Sequence, residues 1–195
     1  MSCPLFYRAF VEAETAITTE VLLNQIDVNV LPEAIGASAS ARLRPHDTDP
    51  KFREAIVDFA SQYLAQRPPL PRSWTLREAF RLARLHFYVD SIAKKLAATA
   101  LDEPPLNCSK SIATCQEMCR IERALYRFEI YCNCFRESPK TQSSVYGEQK
   151  RLFFAHFAPW ENEQLGCIHD FLARLVMPGK LPERAQARSE ALFRS

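Results

Sequence analysis

Met118, Ile121, Leu125, Phe128, Cys132 and Phe135 recur along the chain at steps of +3, +4, +3, +4 and +3. Apolar positions so spaced fall on one face of an α-helix, and they predict a helix over about residues 111–137, ended by Pro139. A second such segment starts at Thr75 and Glu78, which have the spacing of a reciprocal capping box. Phe80, Leu82, Leu85, Phe87, Val89, Ile92 and Leu96 then cover a wide arc, the pattern of a helix contacted on several sides. These two helices, at about 76–101 and 111–137, are expected to carry the core, with Leu125, Phe128 and Phe135 buried near Leu82 or Leu85.

Shorter stripes fill much of the remainder. Ile17, Val21 and Ile26 mark a helix over 15–26, whereas residues 1–14 support no assignment. Leu31, Ile35 and Ala39, four apart, mark another. Asp49 can cap a helix begun by Pro50, whose apolar line is Phe52, Ile56, Phe59 and Tyr63. "VYGEQKRLFFAHF" predicts a further helix, and Pro159 opens one more with Leu165, Ile168, Leu172 and Leu175 as its stripe. Glu161 and Glu163 stand in its first turn, where the helix dipole favours negative charge. No run alternates with the period of a strand. The expected fold is all-α: one compact domain of roughly five to seven helices over 15–177, more than half helical and without a sheet, followed by a polar tail at 178–195.

Composition narrows the function classes. Four glycines in 195 residues leave little material for hairpins or phosphate-cradling loops, while 13 prolines sit mostly between the apolar stripes. With 25 basic against 23 acidic side chains, the net charge of +2 predicts neither a nucleic acid nor a membrane surface as partner. No apolar run approaches the ~18 residues that span a bilayer, and the N-terminal stretch lacks the apolar core of a secretory signal. An intracellular address, cytoplasm or nucleus, follows as the expectation. Reduced thiols follow with it, and the sequon at Asn107 is incidental.

Candidate chemistry is sparse. Five of seven cysteines lie between Cys108 and Cys134. On one straight helix Cys115 and Cys119 are a turn apart, but Cys132 and Cys134 lie ~20–28 Å further on and cannot share a tetrahedral metal with them. Idle or buried thiols are therefore expected, with a metal or redox contact from Cys115 and Cys119 as the alternative; no metal, cofactor or catalytic residue is assigned. His86 and Asp90, at i and i+4, share a helix face with Tyr88 close by in sequence. They point to a pair of metal ligands or an oriented base, or else to a histidine held by a carboxylate at the core's edge. His169 and Asp170, adjacent on a helix, are expected to diverge. Glu122 and Glu129 flank the long stripe and are expected to pair with cations on a neighbouring helix. Arg77, Arg81 and Arg84, and likewise Arg120, Arg123 and Arg127, make two basic rows among acids, read as solvated or interhelical ion-pair faces.

The blocks "QIDVNVLPEAIGASASARL", "WTLREAFRLARLHFYVDSIAKKLAATALD", "RIERALYRFEIYCN" and "PWENEQLGCIHDFL" resemble those of a family of uncharacterised fungal α-helical proteins, in the same order. The resemblance covers roughly residues 20–176 and implies a helical protein without an established activity. Cys134 and Gly166 depart from it, standing where the family has an aliphatic residue and an alanine. The relatives also run on beyond the last block, where this chain turns polar. Hence the expectation that the helix at 159–176 lacks part of its cover, and that Trp160, Ile168, Phe171, Leu172 and Leu175 serve association, with itself or another protein. The leading functional expectation is a non-catalytic interaction or scaffold module; the alternative is an enzyme or small-molecule binder with a pocket near His86 and Asp90.

Overall fold

The computed structural model describes residues 3–43, 50–66, 74–102, 112–135 and 151–176. Of these, 86% are helical and none lies in a strand. In chain order the helices are α1 (Pro4–Gln25), α2 (Leu31–Ser40), α3 (Pro50–Phe59), α4 (Leu76–Asp102), α5 (Cys115–Cys134) and α6 (Pro159–Val176). A π-helical stretch, Ala60–Ala65, prolongs α3, and a 3-10 turn, Phe154–His156, precedes α6. None of these helices is long and apolar enough to cross a membrane. The expected linkers near 44–49 and 67–71, the first part of the predicted helix before Arg151, and the tail at 178–195 lie outside the described residues.

Local chemistry sets the helix starts. At α4 the Glu78 amide donates to Thr75 Oγ1 and the Thr75 amide donates to Glu78 Oε2, both at 3.3 Å. A second box starts α5: the Glu117 amide donates to Thr114 Oγ1 at 3.3 Å, and the Thr114 amide to Glu117 Oε2 at 2.7 Å. This box sets the start at Cys115, later than the predicted start near residue 111. Prolines occupy the first turns of α1, α3 and α6, where no helical amide bond is lost. The segment before Thr15, unassigned from sequence, is thus helical from Pro4.

The two long helices do not share the centre equally. α5 packs against α2, α4 and α6, and its buried residues include Cys119, Glu122, Tyr126, Ile130 and Cys134. That line, rather than the predicted stripe, is the deepest. Within the stripe only Leu125 is fully buried; Phe128 and Phe135 are partly buried and pack against the core. α4 is only partly covered: Leu82 and Ala93 are wholly buried, but Phe80 and Phe87 are 67% and 66% exposed. The wide arc does meet several neighbours, α1, α2 and α5, but they leave part of it in water.

Close approach and a buried charge lock α5 in place. A Cβ on Gly36 would sit 3.2 Å from Ile130 Cδ1, so the absent side chain lets α2 come near α5. Arg127 is 2% exposed; its Nη2 donates to Glu33 of α2 at 2.8 Å and its Nη1 to Glu161 of α6 at 2.7 Å. Its guanidinium also lies over the Phe157 ring, 4.7 Å from the centroid. The interhelical reading of this arginine row holds at Arg127. The expected partners of Glu122 and Glu129 do not follow it: Asn133 donates to Glu129 on the same helix, and Glu122 turns into a cleft described below.

α6 is better covered than expected. Leu165, Ile168 and Phe171 are buried, and Leu172 packs on the core. Trp160, Leu175 and Val176, at the two ends, stay exposed. The predicted apolar stripe is therefore largely used up inside the molecule, against α5.

Candidate functional site

An open cleft of about 560 Å³ lies between α4, the first half of α5 and the connection from α1 to α2. Its polar lining follows from two helical periods. Ala83, His86, Asp90 and Lys94 recur along one face of α4, and Cys115, Cys119 and Glu122 along one face of α5. Gln25 and Asp27 close one side from the end of α1 and the turn beyond it.

His86 anchors the back wall. Its Nδ1 is 2.9 Å from the Tyr126 hydroxyl, and its ring also bonds the Gln25 backbone carbonyl. Burial holds its pKa below the ordinary histidine value, against the opposing pull of Asp90 and the carbonyl bond. A neutral imidazole has one N–H; given to the carbonyl, it leaves the other nitrogen to accept the Tyr126 O–H. Tyr126 is fully buried, and burial first, then Glu122 and Asp90, raise its pKa far above the ordinary range, so the phenol keeps its proton. This histidine fastens α1, α4 and α5 to one another. The expected pairing with Asp90 is not made, because Asp90 accepts from Lys94 Nζ at 2.7 Å, one helical turn on.

Glu122 is 8% exposed, and its pKa is pushed up to about 7. Burial is the main cause, followed by the negative charges of Asp90 and Asp27, with Lys94 opposing. A few ångströms along α5, oxygen of Asp27 and the sulfurs of Cys115 and Cys119 lie within 4.8 Å of one another. Asp27 is held in place, since Asn29 donates to its Oδ1 from the backbone amide at 2.8 Å and from Nδ2 at 2.9 Å. Cys119 is buried, and its pKa rises to about 11 through burial first, then through Asp27 and Cys115. The arrangement can do two things chemically. It can attract a positively charged group, and it offers mixed oxygen and sulfur ligands at one end.

Other candidates do not join it. Cys134 is a buried thiol raised to about 12 by desolvation. His169 does not diverge from Asp170: Nδ1 lies 3.1 Å from Oδ1 on the exposed side of α6, because two surface rotamers bend toward each other. His46 and Cys108 lie outside the described residues. Asp27 and Glu122 as cleft residues were missed in sequence. The i, i+4, i+7 spacing of Cys115, Cys119 and Glu122 was legible, whereas nothing local to Asp27 announces where the turn after α1 will place it. Set against known proteins, the chain matches no family model, no curated protein and no solved structure.

Proposed function

We propose that this chain is a non-catalytic binding protein whose ligand carries a small, positively charged group into the cleft between α4 and α5. The observation that carries this reading is the convergence of Asp27, Asp90 and Glu122 from three separate elements on one open cavity. Lys94 offsets part of that charge and His86 is held neutral, so the cavity's field favours cations. Glu122 supports the reading further: burial first, and then neighbouring negative charge, keeps it partly protonated near neutrality, and an incoming cation relieves the second of these costs.

The test uses a polyamine, spermidine, titrated into isotopically labelled protein in the presence of a chelator. Amide shifts are expected to cluster on residues 25–27, 86–94 and 115–122. Asp90→Asn and Glu122→Gln should each weaken binding, and high salt should weaken it in the wild type. Shifts scattered over the surface, or none at millimolar spermidine, would sink the reading.

A second reading, self-association, is favoured by α1 rather than by the 159–176 helix. Leu5, Phe6 and Tyr7 are at least 65% exposed and Val11 is 50% exposed, and pairing two copies of this apolar helix end about a two-fold axis would cover part of both. Light scattering on the wild type and on a Phe6→Glu, Val11→Glu variant decides it. A clean monomer before any substitution removes it.

A further inference from the structure

We propose that Asp27, Cys115 and Cys119 form a binding site for one thiophilic divalent cation of the zinc class. The proposal rests on the cleft being a cation site and names the inorganic ligand at one end of it.

Three features of the geometry carry it. First, the donor atoms of these residues already lie within 4.8 Å of one another, close to the separations of ligands around a single tetrahedral ion. Second, the donors come from two elements: one turn of α5 supplies both sulfurs, and the connection after α1 supplies the oxygen. The fold brings the oxygen to two sulfurs already adjacent on one helix face. Third, the carboxylate is held by both nitrogens of Asn29, which donate to Oδ1, the kind of outer support that orients metal ligands. Two thiolates and a carboxylate suit Zn²⁺ and its spectroscopic substitute Co²⁺, and disfavour Mg²⁺ and Ca²⁺, which take oxygen ligands. The open side of the cleft leaves the fourth position to water or to a donor from the organic ligand.

The chemistry balances simply. The cation forms bonds to both sulfurs, each S–H bond breaks, and both protons pass to solvent, with no change in oxidation state. Thiols bind such a cation only as thiolates, so binding is expected to release protons and to strengthen as pH rises. These residues then have a role in place of the idle thiols expected from helix geometry alone.

Co²⁺ titrated into the full, reduced, metal-free chain provides the test. One equivalent is expected to produce sulfur-to-cobalt charge-transfer absorption and the intense visible bands of a tetrahedral site. The double variant Cys115→Ser, Cys119→Ser should lose the charge-transfer band while keeping the wild-type circular dichroism. Should that variant not fold, Asp27→Asn decides: it keeps both sulfurs, and the site predicts Co²⁺ affinity lowered roughly tenfold or more. A band that survives in the double serine variant, or an Asp27→Asn affinity equal to wild type, overturns the proposal. The spermidine experiment separates the two readings. Cobalt binding without spermidine binding leaves the metal site and removes the organic ligand, and the reverse result does the opposite.

Discussion

Glu122 should make the protein less stable as pH rises through neutrality, and Glu122→Gln should abolish that loss. The carboxyl is nearly buried, and its pKa moves from 4.5 in the unfolded chain to about 7 in the folded one. A folded-state pKa above the unfolded value means that the folded protein binds the proton more tightly. The associated stability is therefore fully present below about pH 4.5 and is lost as pH rises through about 7. Each tenfold gain in proton affinity on folding corresponds to ~1.4 kcal/mol, so the full difference is at most about 3 kcal/mol. Water reaching the open side of the cleft trims this to roughly 2–3 kcal/mol.

His86 runs the other way. Its lowered pKa makes the unfolded chain the better proton acceptor, so its contribution to stability grows as pH rises toward 6.5. The comparison of wild type with Glu122→Gln cancels that contribution, because both carry the same histidine. Urea unfolding in chelator-containing buffer at pH 5 and pH 8 measures the rest. Near pH 5 the two proteins should differ by less than about 1 kcal/mol, since glutamine mimics the protonated acid and most of the linked stability is still present. At pH 8 the variant should be more stable by about 2–3 kcal/mol. Parallel stability curves, separated by a constant amount at all pH values, would refute the reasoning and place Glu122 in contact with water.

Arg127→Ala leaves Glu33 and Glu161 facing each other's space without their shared cation, so it should cost about 3–5 kcal/mol in urea unfolding. A loss under about 1 kcal/mol would mean that this charge is not buried as described. Thr114→Ala removes one half of the capping box at α5 and should cost about 0.5–2 kcal/mol, with faster amide exchange at Cys115 to Glu117. Exchange unchanged in that first turn would show that the cap does not set the helix start.

Much of the architecture was legible in the chain itself, because it depends on neighbours in sequence. The 3.6-residue stripes, the proline first turns and the Thr75–Glu78 box are local interactions, and the all-α fold follows from them. The Thr114–Glu117 box was equally readable. Local information also placed Cys115, Cys119 and Glu122 on one helix face. It could not say what lies opposite. α4 and α5 both carry wide apolar surfaces and each packs against three helices, yet Phe80 and Phe87 of α4 are left in water. Which helix becomes central depends on contacts between residues far apart in the chain, and so does the covering of α6. The same holds for the cleft. Asp27 meets Cys115 and Cys119 across 88 and 92 positions of sequence, and Tyr126 meets His86 across 40. Glu122 owes its raised pKa to burial and to two carboxylates from other elements. A side chain's identity is written in the chain, but its dielectric surroundings and charged neighbours exist only once the helices have packed.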